Sequence, residues 1–209
     1  TDQATPPNTS ASPCSGWNWF RIENANSVLV VELDATPSSG ATLTDWCDDF
    51  ALNVEYTTTW PSSLSGYDLV MICLGMNPTL TSLTTSQANA LVSYLNAGGA
   101  AYMEGGDCWA QSSTSSIYRS YFGLSSASSG ATLSGPIVGA TGEVTEGMSF
   151  GYGGERNSSD HLTPAAGAHA ILSAASQTKA VSYSTGTFQT VAAAFQVAGL
   201  QNGVAPSRA

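Results

Sequence analysis

Asp68-Leu-Val-Met-Ile-Cys-Leu-Gly75, followed after a short loop by Thr84-Thr-Ser-Gln-Ala-Asn-Ala-Leu-Val-Ser-Tyr-Leu-Asn-Ala-Gly-Gly-Ala-Ala-Tyr-Met-Glu104, decides the fold. The first part is an unbroken apolar run, which suits a strand covered on both faces, as in a parallel sheet. In the second part Ala88, Leu91, Val92 and Leu95 recur at i, i+3, i+4 and i+7, the spacing of one helix face. Thr84 or Thr85 can cap that helix, and Gly98-Gly99 closes it. Ala100 to Glu104 then enters a further strand, which breaks at Gly105-Gly106. Strand, helix, strand in this order predicts parallel pairing through a right-handed crossover.

Working outward, Ser27-Val-Leu-Val-Val-Glu-Leu-Asp34 repeats the apolar pattern and ends in an acid. Leu43, Trp46, Cys47, Phe50 and Ala51 fall at helical spacing, with Thr42 or Thr44 as the cap, and Val54 to Trp60 is a strand candidate. Downstream, Ser115 to Phe122 reads as a short helix. Residues 125–163 are rich in Gly, Ser and Thr, too long a stretch for a bare loop, so short strands or an ordered excursion are expected there. Ala180 to Ser184 and Phe188 to Val197 read as a C-terminal hairpin around Thr185-Gly186. The expected organisation is an irregular segment 1–26, one α/β domain at 27–200 and a tail at 201–209. Its sheet is expected to be mainly parallel.

Charge narrows the function classes. The 209 residues hold 5 Lys+Arg against 15 Asp+Glu, a net charge of −10. A nucleic-acid binder needs a basic stripe, and an anionic membrane surface would repel this chain. No apolar run of about 20 residues offers a membrane span. Hydrophobic residues make up 42% of the chain, enough to fill a core. Charged residues are only 10%, whereas Ser and Thr number 52, so solubility rests on hydroxyls and amides. That surface, the Thr1 to Pro13 opening read as the start of a mature fragment, and four cysteines without a Cys-x-x-Cys pair suggest a secreted or cell-surface protein rather than a zinc site.

In its order of elements the chain resembles the flavodoxin-like domains of the class I glutamine amidotransferase-like superfamily. More narrowly, it is similar to the version appended to secreted bacterial peptidases and surface proteins. The matching text is the strand ending in Asp34, the Gly66-Tyr-Asp-Leu-Val-Met-Ile strand entry and the Leu-Asn-Ala-Gly-Gly helix exit at 95–99. The stop at Glu104-Gly-Gly-Asp107 and the final hairpin match as well. The resemblance implies an α/β flavodoxin-like three-layer sandwich. In catalytic members a Cys on the sharp turn after a strand pairs with a His, usually in a His-x-Glu. Here Cys73-Leu-Gly-Met76 has similar text one strand early, the expected turn carries Gly105, Gly106 and Asp107, and no His-x-Glu follows. The resemblance therefore implies a non-catalytic version.

Candidate chemistry gathers around that turn. A thiol hydrolase would use Cys108 with His161 or His169, and the plainer assignment is an inert thiol beside Trp109. Asp34, Glu104 and Asp107 fall at strand ends, where doubly wound sheets bind ligands. They could hold a hard cation or divide acid and base roles, and the plainer assignment is capping of loop and helix N–H groups. Trp17, Trp19, Phe20, Trp60 and Trp109 offer rings for stacking on sugars, or simply packing. Asn8 and Asn157 fit the glycosylation acceptor pattern. Gly151 to Gly154 does not match a phosphate loop, so no nucleotide or flavin cofactor is expected. Cys73 and Cys47 are expected in the core, leaving Cys14–Cys108, or less favourably Cys14–Cys47, as the disulfide. The expected role is a non-catalytic accessory or interaction module of a larger secreted bacterial protein, partnered by its other domains, an extracellular protein or a glycan. The alternatives are a hydrolase using Cys108/His161 or Glu104/Asp107, and a carbohydrate-binding module.

Overall fold

The computed structural model describes residues 27–36 and 38–203. In chain order its elements are β1 (Ser27–Glu32), α1 (Ser39–Asp49), β2 (Asn53–Thr57), β3 (Leu69–Cys73), α2 (Thr85–Asn96) and β4 (Ala100–Glu104). After α3 (Ser115–Tyr118) come β5 (Leu124–Ser128), β6 (Ile137–Gly139), β7 (Ser149–Tyr152) and β8 (His161–Pro164). Then follow β9 (Ala168–Ala174), β10 (Gln177–Ser184), β11 (Gln189–Ala193) and β12 (Leu200–Gln201). Ten strands form one sheet in the order β12-β7-β6-β9-β10-β11-β4-β3-β1-β2, and β5 pairs with β8 apart from it.

The protein is α/β with a large mixed sheet. Strands β2, β1, β3, β4 and β11 run parallel. The expectation of a mainly parallel sheet is corrected by its other half: β10, β9, β6, β7 and β12 pair antiparallel. The physical reason lies in the Ser/Thr/Gly-rich text. It lacks the apolar residues for crossover helices, so its strands return by tight turns and extend the sheet edge to edge.

Alternation along β1 shows how the core is split. Leu29 and Val31 point to the face where Leu91 and Leu95 of α2 pack, with Tyr118 and Phe122 beyond. Val28 and Val30 point to the opposite face, against Leu43 and Cys47 of α1. Helix α2 begins at a reciprocal cap: Thr84 Oγ1 accepts the Gln87 N–H, and the Gln87 side chain accepts the Thr84 N–H. Gly98, at φ +99°, ends it in the left-handed conformation that glycine tolerates best. No helix among the described residues is long and apolar enough to cross a membrane.

Candidate functional site

The parallel strands deliver a set of acids to their carboxyl ends, where α/β sheets bind ligands. Glu32, the last residue of β1, accepts the backbone N–H groups of Ser38 (3.0 Å) and Gly40 (2.8 Å) at the start of α1. Asp34 accepts from Thr36 N (3.1 Å) and from the Gln196 amide (2.7 Å). Glu104, at the end of β4, is completely buried and accepts from Tyr102 Oη (2.6 Å) and Val197 N (2.8 Å), while its Oε1 has no hydrogen-bond partner. Burial pushes its carboxyl up to about 7, against the pull of Ser39, Tyr102 and the Val197 N–H. Cys73 sits under the same acids. Burial first, then Glu104, Glu32 and Asp34, raise its thiol well above the ordinary range, so no thiolate forms there.

The turn after β4 is closed by neighbouring backbone. Gly105 N donates to Ala193 O (3.1 Å) and Gly106 N to Gly75 O (3.0 Å). A Cβ on Gly105 would lie 2.9 Å from Cys108 Sγ, and one on Gly106 would lie 2.7 Å from the Ser158 carbonyl. These two positions therefore have no room for a side chain. Asp160 N donates to Gly106 O (2.7 Å), tying residues 158–160 over the turn. Lys179 fastens the same segment from below, directing its hydrogens to Ser159 O (2.8 Å), Asp160 O (2.9 Å) and His161 Nδ1 (3.2 Å). Burial lowers the Lys179 ammonium to about 8, opposed by the Asp160 charge.

Asp160 is wholly buried, and its Oδ2 accepts the N–H groups of Trp109 (3.0 Å) and Ala110 (2.8 Å). Its Oδ1 and the Asp107 Oδ1 are buried without a donor from any other group. Burial is the main force raising the Asp160 carboxyl, and Asp107 adds to it. Asp160 thus ties the 158–160 segment to the backbone that follows the turn, through Trp109 and Ala110.

The residues singled out from sequence do not assemble into a thiol or metal site. Cys108 is fully buried, its Sγ donates to Gly105 O (3.4 Å), and burial raises its thiol far above the usual value. His161 gives its Nδ1 to Lys179 and is lowered by burial and by that cation. His169, the other candidate base, pairs with Glu143 (2.9 Å). Among the described residues no group of three or more potential ligands could hold a metal ion, so Asp34, Glu104 and Asp107 serve separate partners. Trp109, read as a ring for sugar stacking or for packing, is fully buried against Tyr118 and Phe122, its Nε1 donating to Ala193 O (2.9 Å). It cannot stack on a sugar in this fold. Cys47, Cys73 and Cys108 carry free thiols. Cys108 lies in the turn after β4, where its thiol is free and fully buried, and the Cys14 end of the expected Cys14–Cys108 bridge is outside the described residues. Cys14, Asn8, Trp17, Trp19 and Phe20 lie outside the described residues.

Four residues that organise this region escaped the sequence reading: Glu32, Asp160, Lys179 and Gln196. Glu32 carried a signal, an acid inside an apolar run, which predicts a partner at the strand end. Asp160 and Lys179 carried none, because their partners are distant in sequence, Trp109 and Asp160 being 51 residues apart.

No protein-family model matches the chain, and no curated protein matches it. Solved structures do. A cytoplasmic protein from Salmonella typhimurium LT2 superposes with a TM-score of 0.57 at 12% identity, over 81% of this chain and 88% of that one. A glutamine amidotransferase from Thermotoga maritima gives 0.53 at 10% identity, over 83% and 76%. A cold-adapted β-galactosidase from Rahnella sp. R3 gives 0.53 at 15% identity, covering 81% of this chain but only 28% of the enzyme. The chain thus spans less than a third of that enzyme's length. At these identities the likeness establishes a glutamine amidotransferase-like α/β fold.

Proposed function

We propose that this chain is a non-catalytic accessory or interaction module of a larger secreted bacterial protein, built on the flavodoxin-like, helix-on-both-faces form of the amidotransferase-like fold. The observation that carries the reading is the turn after β4. Gly105 and Gly106 leave no space for a nucleophile, and the 158–160 segment is hydrogen-bonded across it. A nucleophile needs a thiolate or hydroxyl beside a free base. The nearest thiol in sequence, Cys108, is buried and protonated, and His161 already accepts from Lys179. In the alternative acid pair, Glu104 is engaged with Tyr102 and Val197, and the Oδ1 of Asp107 is buried away from solvent. Occurrence of the same fold as a minor part of a β-galactosidase chain supports an appended role. The hydroxyl-rich, charge-poor surface supports an extracellular setting.

The test is turnover. Purified chain, incubated with ester, anilide, glutamine and aryl-glycoside substrates, should give no rate above buffer. Turnover that disappears in either Cys108→Ala or His161→Ala would replace the accessory reading with the thiol-hydrolase one, and loss in Glu104→Gln or Asp107→Asn would replace it with the carboxylate one.

A further inference from the structure

Helix α1 covers only part of its face of the sheet. Beyond it, a row of side chains directly opposite one another in register crosses four strands: Met71 on β3, Tyr102 on β4, Val191 on β11 and Ser182 on β10. This row floors an apolar groove of about 300 Å³. One wall is α1, which contributes Trp46 and Phe50, and the other includes Val144. Phe50 and Val144 stand 77% and 60% exposed, the two most exposed large hydrophobic residues of the described chain. Apolar surface left open in this way marks a docking site. A second observation points into the same groove: the Ser182 hydroxyl on its floor is buried and has no hydrogen-bond partner. A buried orphan hydroxyl needs a polar group from the occupant.

We propose that the occupant is the chain's own segment Trp17-Asn-Trp-Phe-Arg-Ile22, laid into the groove from the start of β1. Residues 1–26 end where Ser27 begins β1, and Ser27 pairs with Asn53, the neighbour of the groove residue Leu52. Adjacent strands lie about 4.8 Å apart, and the ten residues back to Trp17 can span at most about 33–36 Å, so the groove is within reach. The segment offers two indole N–H donors for the orphan Ser182 hydroxyl and three aromatic rings for the apolar walls. Charge agrees with this choice. Asp45, Asp48 and Asp49 are exposed on α1, and Glu143 and Glu146 flank Val144. A second copy of this face would set acid against acid. Among the bases of the chain, Arg119, Arg156 and Lys179 donate to backbone carbonyls elsewhere. Arg21 sits inside the aromatic run itself. The inference is independent of whether the chain is catalytic.

Methyl-labelled methionine reads the groove directly in the full chain. Met71 lies on its floor, whereas Met76 and Met103 are fully buried elsewhere and report on the fold. In the unsubstituted protein the Met71 methyl resonance should be displaced by the aromatic rings. In full-length Trp17→Ser/Trp19→Ser/Phe20→Ser it should move toward the position of an open methyl, with the Met76 and Met103 resonances unchanged. A Met71 resonance identical in the two proteins overturns the proposal. So does one that shifts with protein concentration, since that would identify a second copy as the occupant.

Discussion

Raising the pH from 5 to 8 should weaken the fold, in contrast to proteins whose acids are held ionised. Glu104 and Asp160 are the causes. Each has a carboxyl pushed up in the folded state, Glu104 to about 7, by burial in the first place. A folded protein that holds a proton more tightly than its unfolded chain is most stable below the unfolded value and loses that stability as pH rises through the folded one. For Glu104 alone, the rise from the ordinary 4.5 to about 7 is worth about 2–3 kcal/mol over this interval. Asp160 adds to the loss in the same direction, because ionising it beside Asp107 sets two carboxylates against each other. Lys179, lowered to about 8, works the other way, and only above that pH. Urea midpoints measured at pH 5, 6, 7 and 8 should therefore fall steadily. Asp160→Asn should flatten the profile and raise the pH 8 midpoint. Its amide oxygen can still accept from Trp109 and Ala110, and its NH₂ can donate to Asp107. A midpoint that climbs with pH, or an unchanged slope in Asp160→Asn, would show that these buried acids do not hold their protons in the folded state.

The second large effect is steric. Gly106→Ala places a methyl 2.7 Å from the Ser158 carbonyl and 3.0 Å from Met76 Cε. The methionine can move, but the carbonyl belongs to a segment held by the Asp160 N–H bond to Gly106 O and by Lys179. Either the turn or the segment must shift, and overpacking of this kind costs about 2–3 kcal/mol. Gly135→Ala is a useful contrast: a Cβ there would meet nothing within 4 Å, although its φ of +74° adds backbone strain of its own. Gly106→Ala should unfold at distinctly lower denaturant than the parent and expose residues 158–160 to limited proteolysis. A neutral Gly106→Ala would mean that the slot is open after all.

What the sequence made legible follows from distance along the chain. Helix α2, with its Thr84 cap and Gly98 stop, and the apolar strands β1, β3 and β4 could be read because local periodicity and capping chemistry determine them. The same text placed Gly105 and Gly106 at the critical turn. Of the antiparallel half of the sheet the β10–β11 hairpin was legible, but the pairing of β9, β6, β7 and β12 was not, because short Ser/Thr/Gly strands carry little hydrophobic alternation and their pairing is settled by tertiary contact. The packing partners of Trp109 were not legible for a related reason: its burial depends on Tyr118 and Phe122 and on the Ala193 carbonyl, 84 residues away. The bonds from Trp109 and Ala110 to Asp160, and the Lys179 that fastens the same segment, join three separate stretches of chain, and no local pattern announces such a meeting.

The closed turn is most directly tested by the reactivity of Cys108 in the native protein. Its thiol is buried, donates to Gly105 O and is held protonated. Under native conditions at pH 7.5, a small alkylating reagent with peptide mapping should label Cys108 no faster than global unfolding allows. Labelling should become rapid in denaturant, and His161→Ala should leave the native rate unchanged. Fast native labelling that slows in His161→Ala would show an accessible, base-activated thiol and contradict the non-catalytic reading.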